Sequence, residues 1–132
     1  MRQEARIFFD HVHLISENPQ SAASWYVEKL GGKIISNKEV LGAPQIFVAF
    51  EEAFLIIRGR RPGEQVDRKQ GLHWGIDHFG FRVQGDFDSY CEALKKKGVV
   101  FSVEPKDFSA TTRIAFIDAP DGVSVELLVR KE

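Results

Sequence analysis

Four histidines stand at the openings of two similar stretches. His11 and His13 lie in Asp10-His11-Val12-His13-Leu14, and His73 and His78 lie before and within Asp77-His78-Phe79-Gly80-Phe81. Imidazole takes or gives a proton near neutral pH and is the commonest side-chain metal ligand. Side chains alternate across a strand, so an extended reading puts His11 and His13 on one face with Ile7, Phe9 and Ile15. Phe8, Asp10, Val12 and Leu14 take the other face, and His78 shares its own with Ile76, Gly80 and Arg82. Near the C-terminus Val123, Val125, Leu127 and Val129 alternate with Ser124, Glu126 and Leu128. A carboxylate in the middle of an apolar strand is costly unless something pairs with it. A divalent metal shared with two imidazoles is one such partner. Taken singly, each residue has a plainer reading: a core histidine bonded to backbone, or a glutamate exposed or in a salt bridge.

The elements that position these residues repeat. His11 and His78 are 67 residues apart, as are Gly31 and Gly98, each glycine following a helical pattern. Two landmarks at one offset argue for a duplicated module. Each copy reads strand, helix, strand, strand, strand. In the first, residues 7–15 form a strand rich in β-branched and aromatic side chains. Asn18-Pro19 then starts a helix to about Leu30, with Ala22, Ala23, Tyr26, Val27 and Leu30 on one stripe and Gly31-Gly32 as its stop. Strands follow near residues 33–37, 45–50 and 53–58. In the second, residues 75–83 are the strand and 86–97 the helix, with Phe87, Tyr90, Cys91 and Leu94 on the buried stripe. Strands near 99–104, 112–118 and 123–130 complete it. The expected architecture is α+β, two βαβββ modules at about 6–60 and 75–131 of one domain, joined by a connector rich in Arg, Gly and Pro.

Composition narrows the function classes. A chain of 132 residues, 43% apolar and 28% charged, supports one core without disulfides and is far from a disordered composition. Eighteen Lys and Arg against nineteen Asp and Glu leave a net charge of −1, so no whole-chain basic field exists to hold nucleic acid. No apolar stretch is long enough to span a bilayer. Met1-Arg2-Gln3-Glu4-Ala5-Arg6 opens with charge but leads into no signal-length hydrophobic run. The lone cysteine, Cys91, excludes an internal disulfide and fits a reducing compartment, so a cytoplasmic location is expected.

Asp10-His11-Val12-x-Leu14, then Ser24-Trp25-Tyr26 leading to Leu30-Gly31, resembles the opening of a vicinal oxygen chelate domain. Ile76-Asp77-His78-Phe79-Gly80-Phe81, then Arg113 to Gly122 and Val123-x-x-Glu126-Leu127, resembles its second half. That superfamily holds glyoxalases, extradiol dioxygenases, methylmalonyl-CoA epimerase, fosfomycin-modifying transferases and bleomycin-resistance proteins. The resemblance implies curved sheets forming a cup around a metal, with ligands from the first and last strand of each module. Carried over by position, the ligands fall on His11, His78 and Glu126. The fourth position falls on Leu55 or Ile56, neither of which binds metal, whereas glyoxalases place a Glu there. Two histidines and one carboxylate make a facial triad suited to one divalent ion with open positions, such as Fe2+, Mn2+, Zn2+, Ni2+ or Co2+.

The resemblance and the residues together imply an enzyme acting on a small molecule that chelates the ion through vicinal oxygens. His13, two residues after a ligand on the same face, is the expected base for isomerase- or lyase-type proton transfer, or else a cup-lining polar group. Extradiol-type dioxygenation is the alternative, and a metal-free binding protein of the bleomycin-resistance kind is the non-enzymatic one. Arg82, Arg113 and Arg58 are candidates to hold an anionic substrate group, against a plain reading as solvated surface. His73 and Trp74 read as connector surface, Lys95 to Lys97 as a solvated helix end, and Cys91 as core. A homodimer is expected, from the resemblance alone, with the modules pairing within one chain or across two.

Overall fold

The computed structural model describes residues 5–68 and 71–131. Residues 1–4 of the charged N-terminal run, connector residues 69–70 and residue 132 lie outside the described residues. The chain divides into two compact units, one running to Val66 and the other from Asp67, a division that falls inside the expected connector.

Unit one runs β1 (His11–Ile15), α1 (Pro19–Leu30), β2 (Lys33–Val40), β3 (Ala43–Ala49) and β4 (Phe54–Arg58). Its sheet has the order β1-β4-β3-β2, with β1 parallel to β4 and the other neighbours antiparallel. Asn18 caps α1 by accepting the Ser21 N–H through its side-chain oxygen at 3.1 Å, and Pro19 opens the first turn, where its missing N–H costs nothing. Gly31 ends α1 with φ 77°, a left-handed conformation glycine adopts without penalty. Ala22, Ala23 and Tyr26 are buried, and Ile46, Val48, Leu55 and Ile57 form the buried sheet positions on the helix side.

Unit two repeats the plan: β5 (Phe79–Arg82), α2 (Phe87–Lys96), β6 (Phe101–Asp107), β7 (Thr112–Asp118) and β8 (Ser124–Arg130), with a 3-10 turn Pro120–Gly122 before β8. The sheet order is β5-β8-β7-β6, again with the first strand parallel to the last. Asp86 caps α2 on the Ser89 N–H at 2.9 Å, and Phe87, Cys91 and Leu94 are its buried stripe. Ala115, Ile117, Val125 and Leu127 are buried on the helix side of this sheet.

The α+β class and the two βαβββ modules are therefore as expected. The leading strands are shorter than the expected 7–15 and 75–83. A strand exists only where it has a ladder partner. The β1 register begins at His11 opposite Phe54, the first residue of β4, and β5 begins at Phe79 opposite Val125. His78 accordingly sits just ahead of β5 rather than within it.

Candidate functional site

Register sorts each sheet into two faces. In unit one, His11 lies beside Phe54, His13 beside Ile56 and Ile15 beside Arg58, while Phe47 lies beside Ile56 and Gln45 beside Arg58. The face opposite the helix thus carries three rows across the strands. The first holds His11 and Phe54, the second His13, Ile56 and Phe47, the third Ile15, Arg58 and Gln45. The rings confirm the first two: His11 stacks on Phe54 at 5.6 Å, Phe54 on Phe47 at 5.4 Å, and His11 meets His13 edge-on at 6.0 Å.

In unit two Gly80 pairs with Glu126 and Phe116 pairs with Glu126 from the other side. His78 Nε2 lies 3.0 Å from Glu126 Oε1, and its ring meets Phe116 edge-on at 4.8 Å. The spacing of 67 puts Gly80 where His13 stands in unit one. That glycine has a reason: a Cβ there would lie 3.1 Å from the Glu126 carbonyl oxygen and 3.3 Å from the Glu126 Cβ. The same superposition of registers places Ile56, not Leu55, opposite Glu126's role in unit one, since Leu55 is on the helix side.

Both leading histidines are oriented the same way. Asp10 Oδ2 lies 2.7 Å from His11 Nδ1, and Asp77 Oδ2 lies 2.7 Å from His78 Nδ1. A carboxylate on Nδ1 orients the ring and turns Nε2 away from it, the arrangement typical of metal-binding histidines; at His78 that Nε2 makes an ion pair with Glu126 Oε1 at 3.0 Å. The side-chain alternation hid these aspartates as histidine partners, because it placed Asp10 on the other face. The repeated Asp-His dipeptide was the available signal. The Asp77 bond, against some burial and with help from Glu126, raises His78 above the usual imidazole range. His13 is lowered, first by burial and then by Arg58, His11 and Arg61, and so is neutral at physiological pH.

The donor set of unit two suits a metal. Nitrogen and oxygen ligands about 2.0–2.2 Å from one ion stand roughly 3 Å apart at neighbouring coordination corners. His78 Nε2 and Glu126 Oε1 already have that separation. Among the described residues no group of three or more His, Cys, Asp or Glu is gathered to hold an ion. His78 and Glu126 are brought together within unit two, and His11 belongs to unit one.

The arginines divide. Arg58 lies on the histidine face but is taken by Glu64, with Nη1 at 2.6 Å and Nη2 at 3.2 Å from the two carboxylate oxygens. This pairing holds Glu64 below the usual carboxylate range. Arg113 sits on the helix side of its sheet, where Nε and Nη2 bind Asp88 of α2 and Nη1 binds Asp107. It ties helix to sheet, away from Glu126's face. Arg82 is exposed at the end of β5, two residues beyond Gly80 and on Glu126's side of the register. His73 is on the surface, its Nδ1 near the Gly71 carbonyl oxygen, and Trp74 is fully exposed, as expected of a connector.

Two βαβββ units, one whose first strand begins at His11 and the other with His78 just ahead of its first strand and Glu126 on its last, define a class. The chain belongs to the Glyoxalase/Bleomycin resistance protein/Dioxygenase superfamily, whose family profile matches residues 8–127. Among solved structures it is similar to a glyoxylase/bleomycin resistance protein/dioxygenase domain from Frankia sp. EAN1pec, at 21% identity and a TM-score of 0.81, covering 97% of this chain and 95% of that one. A glyoxalase family protein from Bacillus cereus is 17% identical with a TM-score of 0.80, covering 100% and 99%. TnmS3, an antibiotic binding protein from Streptomyces sp. CB03234, is 21% identical with a TM-score of 0.74, covering 98% and 100%. At these identities the likeness is one of fold. No curated protein matches the sequence.

Proposed function

We propose that this chain is a divalent-metal-dependent enzyme whose ion is held by His11, His78 and Glu126, and whose substrate is a small molecule with two neighbouring oxygens. The observation that carries the reading is the His78–Glu126 pair, 3.0 Å apart, with Asp77 fixing the ring from behind. A bound Fe2+, Mn2+, Zn2+, Ni2+ or Co2+ would supply Lewis acidity, stabilising oxyanion charge that grows on the substrate. Asp10 and Asp77 orient the two imidazoles. Phe54 stacks on His11 and Phe116 meets His78 edge-on, giving each histidine an apolar ring beside it. His13, on the His11 face and one row further along, accepts a proton at a ring nitrogen from the carbon beside the chelating oxygens. That is isomerase- or lyase-type chemistry.

Two other readings remain distinct. Three protein ligands leave room for dioxygen, so extradiol-type ring opening is the enzymatic alternative. The stacked ring ladder on unit one would also suit a ligand held without metal, and TnmS3, which has a similar fold, is an antibiotic binding protein. We take the protein to be cytoplasmic and homodimeric, with no nucleic-acid partner.

Metal analysis of protein purified without added ions separates enzyme from sequestering protein. About one ion per chain is expected, falling sharply in His11→Ala and Glu126→Ala. Unchanged content in those variants removes the basis of the metal reading. Oxygen uptake by anaerobically Fe2+-loaded protein given catechols would replace proton transfer with dioxygenation.

A further inference from the structure

Unit one's histidine face ends in a cationic corner. β4 finishes at Arg58, and the chain turns through Gly59-Arg60-Arg61-Pro62-Gly63-Glu64, three guanidiniums to one carboxylate. The turn is closed by the Glu64 N–H on the Arg61 carbonyl at 3.1 Å, and Gly59 N–H binds the Pro44 carbonyl at 3.0 Å. Glu64 is fully used: one oxygen takes Arg58 Nη1 and the Arg61 backbone N–H, the other takes Arg58 Nη2. Arg60 binds the Glu64 carbonyl instead. Arg61 is left with a neutral partner. Its Nη2 donates to Gln45 Oε1 at 3.1 Å, and its Nε is buried without a hydrogen-bond partner.

Gln45 fixes where this charge lies. It occupies the third row of the histidine face, beside Arg58 and next to the row of His13, Ile56 and Phe47. The face therefore carries His11 and His13 on β1, 6.0 Å apart ring to ring, and, one row further along and two strands across on β3, Gln45 with the Arg61 guanidinium bound to it. A guanidinium whose hydrogen-bond partner is a neutral amide matches a carboxylate, which accepts from planar N–H donors with charge assistance.

We propose that Arg61 recognises a carboxylate on the substrate, so that the enzyme takes elongated acids with the chelating oxygens at one end and the carboxylate at the other. This deepens the reading of the His11 site and rests on it for the position of the chelating end. Arg58, though on the same face, serves as a support: its two-pronged pairing engages both Glu64 oxygens, while the Arg61 guanidinium hydrogen-bonds the neutral Gln45.

The test uses full-length protein and two probes, 3,4-dihydroxycinnamate and its methyl ester, which share the vicinal oxygens and differ in the distal charge. Wild type is expected to bind the acid at least tenfold more tightly than the ester. Arg61→Gln should bring that ratio to near one while ester affinity and metal content stay as in wild type. Arg61→Lys, which keeps charge but loses the planar fork, should retain an intermediate preference. Far-UV dichroism verifies folding of both variants. A ratio unchanged by Arg61→Gln, or no preference for the acid in wild type, overturns the proposal. Repeating the titration with and without Zn2+ separates the two readings. If the metal reading fails, Zn2+ alters neither affinity while the acid preference persists; if Arg61 has no such role, Zn2+ strengthens both probes but the acid/ester ratio is the same in wild type and Arg61→Gln.

Discussion

The Asp10-His11 and Asp77-His78 bonds orient each imidazole, so on the proposed metal reading the aspartates act through the rings they hold. Asp77→Ala should weaken metal binding about 10- to 100-fold, the usual effect of removing such a partner, with little change in fold. Titration with Co2+ monitored by absorbance measures it. Cys91 shows the opposite kind of residue. Burial, reinforced by Asp88, pushes its thiol up to about 11, so almost none is thiolate at pH 8. Native protein should react with a disulfide reagent at pH 8 only on the timescale of unfolding, and denaturant should release the full single thiol. Fast native labelling would contradict the buried placement. At this scale the sequence was informative about His11, His13, His78 and Glu126 because alternation and repetition expose them. Arg113 shows where it was silent: a register fixed by long-range pairing turns it toward Asp88, and no local pattern carries that.

Helix ends were the most legible elements. Asn18 and Asp86 each accept a backbone N–H three residues on, and glycines with φ 77° and 85° follow the two helices. Asn18→Ala should cost about 1 kcal/mol of stability, read as a fall in the denaturation midpoint. At Asp86 the Ser89 N–H holds the carboxyl below its ordinary range. A group depressed in the folded state contributes stability above its unfolded pKa and loses it as pH falls through the folded one. Asp86→Asn, which keeps an accepting oxygen, should thus flatten the loss of stability on acidification below about pH 4, the ordinary carboxylate range. Identical acid profiles for the two proteins would refute this. Strand ends were less legible. Ile7, Phe8 and Phe9 have strand-forming side chains, yet β4 offers no partner before Phe54, so these residues are exposed, Ile7 at 97%. Composition encodes strand propensity, and a ladder needs a second strand of matching length.

Across the whole chain, two units of one topology differ at matching positions. Unit two keeps the carboxylate and a glycine beside it, whereas unit one has Ile56 and His13 at the corresponding positions. One module supplies two ligands for an ion, the other a third ligand, a proton acceptor and a recognition corner, by the proposal above. The repeat and the fold class were readable from periodicity and spacing, because both are written in local sequence. The departure at the fourth ligand position was visible as an apolar run, and only the register chose Ile56 over Leu55. The segment leading into β1 exposes Ile7, Phe8 and Phe9, and that leading into β5 exposes Leu72 and Trp74, apolar side chains that suit the proposed homodimer. Sedimentation equilibrium should accordingly give twice 15.0 kDa, and a monomer at micromolar concentration would contradict it.

The ion site is what the remaining chemistry depends on, and calorimetric titration of metal-free protein with Mn2+ tests it most directly. Saturation at one ion per chain is predicted for wild type and for the surface variant His73→Ala. His11→Ala, His78→Ala and Glu126→Ala should each bind at least 100-fold more weakly. Equal affinity across all five proteins would contradict the account.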